Sequence, residues 1–431
     1  MYRFELEELK AWKGDPNRKP LVVRGARQVG KTWLLKEFGR TCFENVAYIR
    51  IEDNIAMKQL FEGSLEPKRI LRGISAQTGE EINPQTTLII LDEVQDAPRA
   101  LTALKYFYEE APEYAIAVAG SLLGVALHAG ISFPVGKVTF LDLYPLSFRE
   151  FLLAMGEQSL EEMITQGDFE MMSTFRERFE DMLRSYYFVG GMPEAVSRFS
   201  QNGSFSDVRK IQEDIIDTYR GDFAKHAGAV IGERCRLIFD SIPRHLFKEN
   251  KKFVYGIVKK GARGRDLDDA LQFLLDAGLV LKVNKITGPG LPLSAYAEEN
   301  AFKLFCVDVG LLGALSGIAS QTVLEKGALF TNFKGAIAEQ YVCQQLVSDC
   351  NLKPYYWSAT KSTGEVDFVV QHKGSFIPIE VKAEENLKAK SLAAFCRAND
   401  LTNALRFSLS GYREDSWMTN VPLYAVHSVF A

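Results

Sequence analysis

The chain has 431 residues, enough for two or three domains with real cores; 47% of them are hydrophobic and 25% are charged, the balance of an ordinary globular protein. A net charge of −4 excludes a molecule that binds polyanions over its whole surface, so any nucleic-acid contact needs a local basic patch. The six cysteines are scattered with no C-x-x-C pair, and the five histidines are isolated, which argues against zinc and disulfide frameworks and suits a reducing cytoplasm.

Residues 1–14 read as a short amphipathic helix. The opening MYRFELEELK is acidic and lacks the apolar core of a signal peptide, and the predicted location is cytoplasmic. Pro20-Leu21-Val22-Val23 is a short apolar run that predicts a buried strand. GARQVGKT follows and fits G-x-x-x-x-G-K-[ST] at Gly25, Gly30, Lys31 and Thr32. Glycine lets the backbone curl so that successive N–H groups from Gly25, Ala26, Arg27, Gln28, Val29 and Gly30 point at phosphates. Lys31 can reach the β- and γ-phosphates, and the Thr32 hydroxyl can ligate Mg²⁺. Trp33 to Phe38 reads as the helix whose N-terminus adds a positive dipole end.

Thr87-Leu88-Ile89-Ile90-Leu91-Asp92-Glu93 is an apolar run ending in two carboxylates, the pattern of a Walker B strand. Asp92 is expected to hold Mg²⁺, and Glu93 to polarise an attacking water as general base. Pro98 opens a helix through Leu101, Leu104 and Phe107. Tyr114 to Ala119 predicts a third strand running into Gly120-Ser121. Ser121 is either a polar sensor beside the γ-phosphate or a helix cap. Residues 114–133 carry no charge, yet their Gly, Ser and His content fits a strand and a buried helix better than a membrane span.

Residues 20 to 145 alternate strand and helix patterns, which implies a parallel sheet covered by helices. Residues 150–230 have helical periodicity, interrupted by a tight turn at Val189-Gly190-Gly191-Met192-Pro193-Glu194. Beyond it come two helices, a strand at Gly278–Val283, a Gly/Pro loop and a strand at Lys303–Val307, the winged-helix pattern. Eight Lys or Arg residues and one acid, Glu249, lie between Arg244 and Arg265. They make either a phosphate-contacting face or a solvated surface.

In the last third, Gly364 to Val370 and Phe376 to Lys382 read as a hairpin carrying Asp367, Glu380 and Lys382. This D…E-x-K arrangement is that of PD-(D/E)xK nucleases. Alternation puts Glu380 and Lys382 on one face. Asp367 and Glu380 could then share Mg²⁺, with Glu339 from the helix Gly335–Leu346 completing the site and Lys382 acting on the water. Three other E-x-K matches, at Glu8, Glu66 and Glu249, lack the preceding acid-bearing strand.

RGARQVGKT, LIILDEVQ, LYPLSFREF, VGGMPEAV, the winged-helix-like stretch and GEVDFVV…IPIEVKA together resemble the prokaryotic AAA+-type ATPases with a C-terminal domain of unknown function similar to PD-(D/E)xK nucleases. The resemblance implies an AAA+/ASCE-type P-loop core at 1–145, a helical region at 146–232, a winged-helix-like domain at 233–315 and a nuclease-like α/β domain at 316–431. It implies ATP as the nucleotide, and a homo-oligomer is a further expectation. Two departures stand out. Ser121 replaces the usual sensor asparagine, and Gly136-Lys137 stands where related chains carry Gly-Arg. A lysine there cannot give the bidentate contact of an arginine finger, leaving Arg149 and Arg27 as candidates. Three functions fit: an ATPase coupled to a Mg²⁺-dependent nuclease on DNA, an ATP-driven switch with a non-cleaving docking domain, and a protein-remodelling ATPase.

Overall fold

A computed structural model describes residues 1–121, 123, 136–318, 331–359, 364–383 and 389–431. The chain divides into two compact units, one formed by Tyr2–Tyr144 with Asp276–Leu279, the other by Pro145–Leu275 with Val280–Ala431 and Met1.

The first unit is built on a parallel sheet of β1 (Leu21–Arg24), β2 (Asn45–Arg50), β3 (Thr87–Asp92), β4 (Ala115–Ala119) and β5 (Thr139–Asp142). Its order is β2-β3-β4-β1-β5. Every residue of β3 and β4 is buried, as expected of apolar runs covered on both faces. Ile89, Leu91, Ile116 and Val118 pack with Phe61, Ile70 and Leu104 into one core. The expected strands form here, with the opening helix Glu5–Gly14; the buried helix expected within 114–133 falls on residues outside those described. The helix after the phosphate loop runs from Lys31 to Cys42 and the one opened by Pro98 to Glu110. β4 lies between β1 and β3, so the sheet has the additional strand expected of this ATPase class. Parallel strands bring their C-terminal ends to one edge, which collects the loop after β1, Asp92-Glu93 after β3 and Gly120-Ser121 after β4. Of the uncharged stretch 114–133, the described part is chiefly β4; residues 122 and 124–133 lie outside the described residues. No helix among the described residues is long and apolar enough to cross a membrane.

The second unit opens with helices. Ser147 caps the helix Phe148–Ala154 through a reciprocal capping box with Glu150. The expected break falls between the helices Arg176–Val189 and Pro193–Asn202. There Gly191 bonds Leu146 through its carbonyl at 2.7 Å, and a Cβ on Gly191 would lie 2.1 Å from the Leu146 oxygen. Only glycine allows that approach. Asp308 accepts the Gly191 N–H at 2.6 Å. A helix from Phe205 to Leu246 follows, interrupted at Gly228, where φ is 76°.

β6 (Val280–Ile286) and β7 (Ala297–Cys306) form the antiparallel hairpin expected of a wing. The hairpin does not stand apart, however. β6 pairs in parallel with β8 (Tyr355–Ser358), so one eight-stranded sheet crosses residue 315, the boundary drawn between the winged-helix-like and nuclease-like segments. β9 (Glu365–His372), β10 (Ser375–Val381), β11 (Ala404–Ser408), β12 (Arg413–Glu414) and β13 (Met418–Pro422) complete it in the order β12-β13-β11-β10-β9-β8-β6-β7. The helix Thr331–Ser348 buries Gln340, Gln344 and Gln345, whose amides satisfy the backbone of Cys306, Val309 and Phe148.

Candidate functional site

The loop between β1 and its helix is wound by positive φ at Gly25 (144°), Gln28 (68°) and Gly30 (99°). A side chain at Gly25 would meet the Leu143 carbonyl at 2.1 Å, so this position tolerates glycine alone. Ala26 and Val29 are buried and anchor the loop, while Gln28 is exposed. Lys31 folds back over it: Nζ donates to the Gly25 carbonyl at 2.9 Å and to the Ala26 carbonyl at 2.7 Å. Burial pulls its pKa down to about 8 against the opposing pull of the Glu93 and Asp92 charges.

The Thr32 hydroxyl donates to Asp92 Oδ2 at 2.6 Å, joining the start of the helix to the end of β3. Asp92 Oδ1 accepts the Glu93 N–H at 3.1 Å, and Oδ2 also accepts the Tyr48 hydroxyl at 3.1 Å. Glu93 occupies the left-handed region at φ 52°, which turns its side chain out of the strand direction. Its Oε2 accepts Gln95 Nε2 at 2.8 Å and both the N–H and hydroxyl of Ser121 at 3.4 Å. Ser121 is therefore beside Glu93. Three strands, β1, β3 and β4, thus bring Lys31 and Thr32, Asp92 and Glu93, and Ser121 to one edge.

The acids of the second unit stand among lysines. The β9–β10 register pairs Ile379 with Phe368 and, continued one step, sets Glu380 opposite Asp367. Asp367 Oδ2 accepts the Val381 N–H at 2.8 Å, and Lys382 Nζ lies 2.6 Å from Glu380 Oε1. Glu339 is buried and paired with Lys251, and Lys303 Nζ stands 3.8 Å away. Lys303, fully buried, is also paired with Glu365. Burial raises the Asp367 carboxyl well above the carboxylate range, and the Glu339 and Glu380 charges add to the shift. Glu380 is also raised by burial, against the pull of Lys382. Burial acts on Glu339 too, but Lys251 and Lys303 outweigh it and leave that carboxyl below its usual value. Among the described residues no three His, Cys, Asp or Glu side chains are grouped to hold a metal ion. Asp367, Glu380 and Glu339 are the residues expected to hold Mg²⁺ together. These acids feel one another's charge, but lysine ammonium groups stand among them.

Residues 17–152 match the family described as an AAA domain. This part of the chain is an AAA domain. Residues 180–322 and 334–425 match two domains of unknown function, DUF8612 and DUF4143. No curated protein matches the chain. Among solved structures it is similar to the Walker-type ATPase PABY2304 of Pyrococcus abyssi, with 16% identity over 72% of this chain and 94% of that one, at a TM-score of 0.42. Cdc6p from Pyrobaculum aerophilum shares 14% identity over 74% and 93%, at 0.27. The Aeropyrum pernix ORC1 protein, in complex with DNA, shares 12% over 73% and 91%, also at 0.27.

Within the AAA domain, Lys137 lies 3.4 Å from Glu109 and over the Tyr108 ring, just before β5. That is the N-terminal edge of the sheet, opposite its own phosphate loop. Arg149, in the second unit, is no free finger. Its guanidinium is buried against Glu161, Asp349, Thr165 and His427. Gln95, the last residue of LIILDEVQ, donates to the Glu93 carboxylate. Tyr48, which no motif announces, reaches Asp92 from β2, a strand whose only sequence signal is alternation.

Proposed function

We propose that the AAA domain binds ATP with Mg²⁺ and hydrolyses it, and that the second unit docks to a partner without cutting it. The observation that carries the first half is the 2.6 Å Thr32–Asp92 bond beside a Glu93 carboxylate held by Gln95 and Ser121. The residues fit the nucleotide: the Lys31 ammonium rests on two carbonyls that phosphate oxygens can replace, and the loop's left-handed positions present N–H groups to them. Residues Gly25 to Thr32 would hold the phosphates, Thr32 and Asp92 the Mg²⁺. A bound Mg²⁺ supplies charge neutralisation on the phosphate oxygens. Glu93 orients and polarises a water, and Ser121 fixes the Glu93 carboxylate.

The second half rests on Lys303, buried between Glu339 and Glu365 where a cutting site would need a metal. A nucleic-acid backbone is one partner favoured by a specific observation: apart from Lys251, the basic residues between Arg244 and Arg265 are exposed. Their neighbour, the helix Gly264–Asp276, presents Asp268 and Asp269 to solvent, which opposes base reading in a groove.

Phosphate release and nucleotide binding, measured with and without duplex DNA, test the proposal. Lys31→Ala is expected to lose both, and the DNA to stay intact throughout. Turnover by Lys31→Ala at the wild-type rate overturns the site assignment, and Mg²⁺-dependent cutting overturns the docking reading.

The lowered Lys31 pKa adds a pH signature. An ammonium is charged below its pKa, so at pH 7 most Lys31 groups can bind phosphate, and at pH 9 few can. Nucleotide affinity is expected to fall roughly tenfold between pH 7 and pH 9. Lys31→Arg, which does not titrate there, should give a flat profile in a fluorescent-nucleotide titration. A wild-type profile as flat as the arginine variant's would refute it.

A further inference from the structure

Asp92 is held by more than its motif. Its Oδ2 accepts two hydroxyls, Thr32 at 2.6 Å and Tyr48 at 3.1 Å. Thr32 belongs to the phosphate-loop pattern; Tyr48 does not. It comes from β2, the edge strand, where it faces Ile90 in the register with β3 and reaches two residues along to Asp92. The ring is fixed from its other side: Lys36 Nζ sits 3.7 Å from the ring centroid. A tyrosine hydroxyl is a donor at any physiological pH. A threonine hydroxyl has one proton to give. When that proton is engaged elsewhere, Tyr48 is the side-chain donor left on Oδ2.

We propose that Tyr48 is a positioning residue for the divalent cation, restraining the Asp92 carboxylate so that its free lone pairs face the Thr32 hydroxyl. The proposal rests on the reading of Thr32 and Asp92 as the cation-holding pair. It assigns a function to β2 that no phosphate-loop or acidic-strand pattern contains. An outer-shell donor of this kind is typically worth 10–100-fold in metal affinity.

Tyr48→Phe keeps the ring and its contact with Lys36 and removes the hydroxyl alone. The readout is the Mg²⁺ concentration giving half-maximal tightening of a fluorescent ATP analogue on the full chain, with Mn²⁺ in parallel. The expected result is a rise of about tenfold in that concentration, with metal-free analogue affinity in EDTA and the melting temperature unchanged. Asp92→Asn serves as the reference for a lost cation site. A Tyr48→Phe titration that overlays the wild type overturns the proposal while the nucleotide site stands. Wild-type binding that ignores both Mg²⁺ and Asp92→Asn overturns the site reading itself. A purely structural tyrosine would lower the melting temperature and metal-free affinity together, and that pattern also rejects the proposal.

Discussion

Replacing Glu93 with Gln is expected to reduce phosphate release by roughly 10²–10⁴-fold, the usual worth of a general base, while ATP-analogue binding stays at the wild-type level. The side chain is nearly isosteric, and its surroundings accept an amide. Gln95 Nε2 can still donate to the amide oxygen at the place where Oε2 now accepts at 2.8 Å, and the Ser121 N–H and hydroxyl converge on the same atom. The left-handed backbone at 52° is set by the 3-10 turn Val94–Asp96 rather than by the carboxylate's charge. Geometry therefore survives and only basicity is lost. Binding is carried by other atoms: the loop N–H groups, Lys31 and Thr32. Single-turnover phosphate release and equilibrium titration on one preparation separate the two quantities. Equal losses in both would mean that Glu93 shapes the loop instead of acting on water. Unchanged release would move the base elsewhere on the sheet edge.

The sequence made the AAA site legible because phosphate binding constrains chemistry and spacing together. GARQVGKT needs glycine at two left-handed or crowded positions, and the crowding at Gly25 is a 2.1 Å approach to Leu143. β3 and β4 are wholly buried, so their apolar runs stood out. β2 is an edge strand with alternating burial, and Asn45-Val46-Ala47-Tyr48-Ile49-Arg50 carries no comparable signal. Tyr48 was invisible for that reason, as its role depends on strand order. The second unit shows the opposite failure. Continued one step, the β9–β10 register sets the acids at 367 and 380 opposite one another across the hairpin. Their neutralising partners come from far along the chain: Lys251 precedes β6, and Lys303 lies in β7. Local pattern could not reveal that β7 belongs to the same sheet as β9 and β10. Pattern alone sets Lys251 in a basic stretch and Lys303 in a wing strand; in the fold they are half-buried and buried ion-pair partners.

Lys303→Met is expected to destabilise the second unit by about 3–5 kcal/mol, the usual cost of removing one partner from a buried ion pair. Methionine fills the lysine stem's volume, so the loss isolates the charge. Lys303 is fully buried, its ammonium paired with Glu365 and 3.8 Å from Glu339. Without it, Glu339, whose Oε2 already lacks a hydrogen-bond partner, keeps its pair with Lys251 and the charge of Lys382. The pH dependence carried by Glu339 should then weaken. In the wild type the Glu339 carboxyl sits below its usual value, so its contribution is present above that value and lost as pH falls through the folded pKa. With the Lys303 ammonium gone, one of the charges opposing burial is removed and the folded pKa moves up toward the unfolded one. Less of the Glu339 contribution is then left to lose as pH falls. Amide-exchange protection in β7, β9 and β10, followed from pH 7 to pH 5, reads both effects without requiring the whole chain to unfold in one step. Adding Glu339→Gln to Lys303→Met should restore part of the loss, since a neutral amide needs no counter-charge. A Lys303→Met protein with wild-type protection at pH 7 would show that the acids do not depend on the ammonium. The ammonium would then not be standing in for the metal of a cutting site.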